Sequence, residues 1–267
     1  MPYRSATINV MVRAAEKAGR ALIRDFGEVE QLQVSRKGPA DFVSAADMKA
    51  ERVVRQELLK ARPSYGFLME EAGAIAGDDT EHRWIVDPLD GTTNFLHGLP
   101  HFAVSIALER AGEIVAGVVF DPIKDEVFWA EKGAGAYLND RRLRVSGRGR
   151  LADSLLATGI PFLGRQEGEG HRRFLLQLES VMRQTAGVRR WGAASLDLAY
   201  VAAGRYDGFW ETGLDAWDVA AGTILVREAG GYVSEIGGKA HKLDSATILA
   251  SNDRLYTELV KVLKTAA

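Results

Sequence analysis

The chain has 267 residues, of which 46% are hydrophobic and 26% charged, and its formal net charge is -2. That length can bury a sizeable core as one large domain or two intimate halves, and the near-neutral balance argues against direct nucleic-acid binding and against a charged membrane surface. The absence of cysteine removes disulfides and thiolate metal sites and fits a reducing cytosol. The first residues lack the apolar core of a signal peptide and no apolar run is long enough to span a bilayer, so a cytoplasmic protein is expected.

Ala6 to Phe26 shows helical periodicity, with Ile8, Met11, Ala15, Ala18, Leu22 and Phe26 on or near one face. Ser44 followed by Asp47 resembles a capping box and opens a second helix to about Leu59, with Pro63 just past its end. Tyr65 to Met69 and Trp84 to Val86 read as short buried strands that run directly into carboxylates. Phe102 to Glu109 and Glu113 to Phe120 flank Ala111-Gly112 as a hairpin, and Glu126 to Ala130 and Ala136 to Leu138 extend that sheet. The basic run Arg141, Arg142, Arg144, Arg148 and Arg150 reads as a solvated loop. Beyond it the pattern changes. Strands at Ser154 to Thr158, Val188 to Trp191, Tyr206 to Trp210 and Ala246 to Ala250 alternate with helices near His171 to Gln184, Ala194 to Ala203, Trp217 to Ala229 and Asp253 to Lys264. The alternation predicts layered α/β packing. Residues 1–150 are expected to form an α+β half and residues 151–267 an α/β half, fused through a shared core.

Chemistry concentrates in Trp84-Ile85-Val86-Asp87-Pro88-Leu89-Asp90-Gly91-Thr92-Thr93-Asn94-Phe95. Pro88 fixes φ and removes a donor, which favours a tight turn. Such a turn can aim Asp87, Asp90 and the Leu89 carbonyl at one point, and oxygen-only ligation suits a hard cation such as Mg²⁺. Gly91 lets the backbone approach an anion, and if Thr92 and Thr93 open a helix their free amides make a phosphate site. Glu70 and Glu71 end a strand, where adjacent side chains diverge, so one can bind metal and the other support it. Asp218 lies at a helix start, where complementing the helix dipole is its simplest role, and Asp47 is fully explained as a capping carboxylate.

Taken together these motifs resemble the inositol monophosphatase family over nearly the whole chain. They include Asp41 to Asp47, Glu70-Glu71, Asp87 to Phe95, and Trp217 to Gly222 followed by Glu228 to Gly231. Gly192-Ala193-Ala194-Ser195, Glu211, and Leu196 to Tyr200 are most similar to the bacterial SuhB type. The resemblance implies a layered α-β-α-β-α sandwich, usually a homodimer, and Mg²⁺-dependent, lithium-sensitive hydrolysis of a small phosphate monoester by a metal-activated water. Inositol monophosphate is the first expected substrate. On this resemblance one metal would use Glu70, Asp87 and the Leu89 carbonyl, and a second Asp87, Asp90 and Asp218. Gly91, Thr92 and Thr93 would hold the phosphate, and Thr92, supported by Asp47, would help Glu70 activate the water. Glu211, with Gly192, Ala193 and Ala194, would contact the alcohol. Lys37 falls in a segment similar to a loop near the metals. Met69 stands where the family usually has glycine. His97 and His101 are read as packing or hydrogen-bonding residues.

Alternative substrates are fructose 1,6-bisphosphate, histidinol phosphate or a 3′-phosphoadenosine nucleotide, although Thr93-Asn94-Phe95 looks more like the inositol branch. A SuhB-like contact with RNA polymerase is a second possible role, and a purely structural metal site a third.

Overall fold

The computed structural model describes residues 4–28, 34–38, 41–161 and 168–265. Helix α1 (Ala6–Phe26) forms where expected: Ile8, Met11, Ala15, Ala18 and Leu22 are all buried along one stripe. Ser5 caps it, accepting from the Ile8 amide at 3.2 Å. Strands β1 (Val34–Gly38) and β2 (Asp41–Ser44) make an antiparallel pair. They lead into α2 (Ala45–Ala61), two residues longer than predicted. The side chains of Ser44 and Lys37 lie outside the described ones.

The next elements are β3 (Tyr65–Met69), β4 (Gly73–Ile75), β5 (Asp79–Asp90), α3 (Thr92–Leu96), β6 (Ala103–Arg110), β7 (Glu113–Asp121), β8 (Glu126–Glu131), β9 (Gly135–Leu138) and β10 (Arg141–Arg142). Their strands form one eight-stranded sheet in the order β10-β9-β8-β7-β6-β5-β3-β4. Neighbours in it are antiparallel except β3 and β5. Alternation along the strands splits their side chains between two cores. Met69, Trp84, Val86, Val104, Val118 and Phe120 pack under α1 and α2, whereas Ile85, Ala103, Ala107, Val119 and Phe128 face the opposite way. Met69 therefore belongs to the apolar core on the side of α1 and α2.

The remaining elements are β11 (Leu155–Thr158), α4 (Glu169–Met182), β12 (Gly187–Arg189), α5 (Ala194–Ala202), β13 (Gly208–Thr212), α6 (Ala216–Glu228), β14 (Tyr232–Ser234), β15 (Thr247–Ser251) and α7 (Tyr256–Thr265). Their strands form a second sheet, β12-β11-β13-β15-β14, parallel across its first three and antiparallel beyond. Helices α5 and α6 are buried on nearly every side between the two sheets, through Leu196, Leu198, Val201, Ala220, Ile224 and Leu225. Helices α4 and α7 cover the far face over Leu156, Trp210, Leu249, Leu259 and Leu263. The order of layers is thus α-β-α-β-α, as the resemblance implied.

Three predicted strands shift. The strand read as Trp84 to Val86 runs from Asp79 through Asp90, because a break in register between Asp87 and Asp90 absorbs Pro88 and Leu89 as a bulge. Strand β12 stops at Arg189 and leaves Trp191 in a loop, half exposed. Strand β13 starts at Gly208, since the Tyr206 amide is turned back to the Tyr200 carbonyl of the preceding helix at 3.2 Å, and it carries on past Trp210 to Thr212. The basic residues from Arg141 to Arg150 are exposed as expected, with Arg148 reaching Asp207 at 3.3 Å. Among the described residues no helix is long and apolar enough to cross a membrane.

Candidate metal and phosphate site

The parallel pairing of β3 with β5 sets the site. Met69 lies beside Val86, and the Glu70 amide donates to the Val86 carbonyl at 3.2 Å, so Glu70 and Asp87 leave the sheet at the same edge. The bulge then turns Leu89 and Asp90 over that edge. Asp87 Oδ1 accepts from the Leu89 amide at 2.9 Å, which pins the bulge. Asp218 reaches the same place from the first turn of α6, where it accepts from the Asp215 amide at 2.7 Å. It therefore keeps its place at the positive end of the helix dipole, as read from sequence, while also facing the other carboxylates.

Electrostatics show the convergence. Burial, then Glu70, Asp90 and Asp218, pushes the Asp87 carboxyl well above its ordinary range, and Glu70 also shares a hydrogen bond with it. Burial raises Asp90 to about 6 even though Ser195 hydrogen bonds favour its charged form. Asp218 is raised by burial and then by Asp90. Like charges held together out of water cannot all ionise without a compensating charge, and a divalent cation supplies one. Among the described residues no three His, Asp or Glu side chains form a ready-made metal cage. A Mg²⁺ ion usually keeps several waters and takes the rest of its shell from carboxylates and substrate phosphate. The residues present fit such an ion.

The pair Asp47 and Thr92 is assembled by the fold. Asp47 is fully buried near the start of α2, and its Oδ1 lies 3.0 Å from the Thr92 hydroxyl, which stands equally close to the Leu89 carbonyl. One proton faces two acceptors, and a carboxylate oxygen is the stronger. Donation to Asp47 leaves the Leu89 carbonyl available to a cation. Asp47 is therefore more than the helix-end carboxylate that sequence alone explained.

Gly91 has φ +96, and a Cβ there would lie 3.0 Å from the His101 carbonyl and 3.4 Å from that of Gly192. Only glycine holds this turn comfortably, and it brings Gly91, Thr92 and Thr93 against the Gly192 to Ala194 loop. Asn94 ties the two together, its amide donating to the carbonyls of His101 at 2.8 Å and Trp191 at 2.7 Å. Phe95 locks α3 in place between Phe26 and Phe102, at centroid distances of 5.5 and 5.0 Å. Glu211, near the end of β13, occupies space left by Gly159, where a Cβ would fall within 1.8 Å of its Oε1. His97 is exposed at the end of α3. His101 is buried against Trp191 and Tyr200, and burial lowers its pKa to about 4.

The sequence reading missed four contributors as site residues. Ser195 holds Asp90 Oδ2 through its amide at 2.8 Å and through its hydroxyl. Asn94 clamps the two loops. Asp197 is buried on α5 among Glu211, Asp90 and Arg190, and burial followed by those two carboxylates drives its pKa well up. Gly159 makes room for Glu211. Ser195, Asn94 and Asp197 lay within quoted motifs, but each acts on a partner far away in the chain. For Gly159 no local signal existed.

Known proteins resemble this chain over nearly its whole length. Residues 4–266 match the inositol monophosphatase family. The chain is 61% identical to an inositol-1-monophosphatase of Mesorhizobium japonicum, covering 98% of this chain and 97% of that one. It is 44% identical to the Nus factor SuhB of Escherichia coli, over 95% and 94% of the two chains. Its fold superposes on the crystal structure of the suhB extragenic suppressor protein from Bartonella henselae with a TM-score of 0.95 at 58% identity, covering 98% of this chain and all of that one. The chain belongs to the inositol monophosphatase family.

Proposed function

We propose that this chain is a Mg²⁺-dependent phosphoric monoester hydrolase that converts an inositol monophosphate to inositol and phosphate. The observation that carries the reading is the convergence of Asp87, Asp90, Asp218 and Glu70 beside Gly91, with proton affinities raised by mutual burial. Glu70, Asp87 and the Leu89 carbonyl would hold one Mg²⁺, and Asp87, Asp90 and Asp218 a second. When bound, the ions supply charge neutralisation and Lewis acidity to an ester whose nucleophile and phosphate repel one another.

The chain's own groups do the rest. Gly91, Thr92 and Thr93 present backbone amides, and Thr93 its hydroxyl, to the phosphate. Asp47 fixes the Thr92 hydroxyl so that its lone pairs face the site, and Glu70 takes a proton from the attacking water. Gly192, Ala193, Ala194 and Glu211 meet the alcohol hydroxyls. Positioning and electrostatics, with no phosphoenzyme, then carry catalysis. Relatives at 55–61% identity are named inositol-1-monophosphatases, which supports this substrate over fructose 1,6-bisphosphate, histidinol phosphate or a 3′-phosphoadenosine nucleotide.

Further parts of the reading are a cytoplasmic location, a homodimer, and a division of the chain near residue 150 that draws the metal ligands from both halves. Relatives at 41–46% identity are named Nus factor SuhB, and a pull-down against RNA polymerase tests whether this chain has that contact. The main test is phosphate release from a panel of inositol, sugar and nucleotide phosphates with Mg²⁺ and with chelator. Inositol monophosphate should be preferred and chelator should abolish release. Full activity in chelator, or turnover of another ester with none of inositol monophosphate, would overturn the assignment.

A further inference from the structure

A cavity of about 460 Å³ lies at the end of the large sheet away from the carboxylates, walled by Arg83, Glu109, Glu113, Thr223, Arg227 and His241. Asp90 pairs with the first residue of β6, whereas Glu109 and Glu113 flank the turn at its other end, roughly 20 Å along the strand. Helix α6 spans the same interval, with Asp218 in its first turn and Arg227 in its last. The volume falls within the usual range for a small-molecule site.

Three donors in the wall of this cavity lack a hydrogen-bonding partner among the described residues, the Thr223 hydroxyl lying buried behind its surface. Thr223 is 2% exposed, and its hydroxyl makes no hydrogen bond, not even to its own helix. A buried hydroxyl left unpaired costs about 1–3 kcal/mol. Arg227 stands one turn further along α6 on the same face. It has no ion pair within 4.0 Å among the described residues, and burial makes its charge harder to keep. Capping the helix does not account for it, because the carbonyls of Leu225, Val226 and Arg227 already accept from the amides of Ala229, Gly231 and Gly230. His241 is 9% exposed and forms no hydrogen bond to a described residue; burial and Arg227 hold it neutral, with a pKa near 4, so one ring nitrogen carries a proton to donate.

The acidic wall is largely spoken for. Glu109 is engaged by Arg83 at 2.6 Å and Glu113 by Lys132 at 2.6 Å, while Asp244 also lines the cavity and acts on His241. Arg227 feels the charge of Glu113 but forms no ion pair within 4.0 Å with it or with another described residue. We infer that this cavity is a second ligand site, built to take a small molecule through a phosphate or carboxylate group held by Arg227, Thr223 and His241.

The test is isothermal titration of the full-length, Mg²⁺-loaded protein with inorganic phosphate and, separately, with citrate. Asp90→Asn removes a proposed ligand of the second Mg²⁺ and weakens phosphate binding at the carboxylate site, and the cavity variants are made in that background so that only the second event can change. Arg227→Gln should weaken that event tenfold or more. Thr223→Val should weaken it severalfold while the melting temperature stays level or rises, since the variant deletes an unpaired hydroxyl. Made singly in the wild-type chain, both should keep basal phosphatase turnover within about twofold of wild type. A response to phosphate alone or to citrate alone identifies the group recognised. The inference is overturned if neither anion at millimolar concentration binds the Asp90→Asn protein, or if Arg227→Gln and Thr223→Val bind as it does.

Discussion

Replacing Asp47 by asparagine should lower kcat roughly five- to tenfold while barely moving the melting temperature. The Thr92 hydroxyl lies 3.0 Å from Asp47 Oδ1, and Asp47 has no exposed surface. A hydrogen bond to a charged group is worth about 1.5–3 kcal/mol against about 0.5–1.5 for a neutral one, so the substitution forfeits about 1–1.5 kcal/mol of orientation. Each 1.36 kcal/mol is roughly a factor of ten in rate. Asp47 is the third residue of α2, and losing its charge there costs the helix about 0.3–1 kcal/mol. At about 2–4 °C per kcal/mol in a chain of this size, the melting temperature falls by only about 1–4 °C. Because both residues serve one orientation, the double variant Asp47→Asn/Thr92→Ala should be little slower than Thr92→Ala alone. Steady-state kinetics at saturating Mg²⁺ and calorimetry on the two single variants and the double decide the matter. Fully additive losses in kcat, or a normal kcat in Asp47→Asn, would refute the pairing and leave Asp47 as a helix-end carboxylate.

Asp90→Asn and Asp218→Asn should each cut turnover at least a hundredfold with near-native circular dichroism, since each removes a charge proposed to hold the second ion; near wild-type rates at saturating Mg²⁺ would contradict that. Without divalent cation, the folded chain keeps a proton on Asp90 up to about pH 6, and burial holds those on Asp87 and Asp218 well above the ordinary carboxylate range, whereas the unfolded chain releases them near pH 4. Folding then binds protons, so metal-free stability must fall as pH rises through that window. Added Mg²⁺ should raise the melting temperature more at pH 7.5 than at pH 5, and equal effects would argue against ion binding by these groups. Gly159→Ala should reproduce the kinetics of Glu211→Ala, raising KM more than it lowers kcat, because the new methyl claims the space of the Glu211 carboxylate; wild-type kinetics in Gly159→Ala would show that Glu211 need not sit there. Millimolar Li⁺ should inhibit turnover, and insensitivity in a rate assay would set this chain apart from lithium-sensitive relatives.

Much of this was legible in the residues. The stripe from Ile8 to Leu22 fixed α1, and alternating apolar runs gave the Glu113 hairpin to within a residue or two. Asp87 and Asp90 declared themselves because Pro, Gly and two Thr crowd around them. Elsewhere the controlling contacts are long-range. Pro88 argued for the end of a strand, yet pairing with β6 carried the strand on by absorbing it in a bulge. Ser195 looks like any residue of a helix start until Asp90 is seen to lean on it. Gly159 carries no side chain by which its task could be read; only Glu211, arriving from another strand, explains it. Short edge strands such as β4 and β14 have too few residues for a period to show.

The burial of α5 and α6 between the two sheets has a consequence for synthesis. Until Ala194 to Glu228 has left the ribosome, the face of the large sheet bearing Ile85, Ala107, Val119 and Phe128 has nothing to cover it. A nascent chain paused before that point carries a broad, sticky surface of β-branched and aromatic side chains, the kind of species that aggregates or engages chaperones. Truncations just short of α5 should therefore accumulate as insoluble material, and those that retain α6 but drop α7 should fare better.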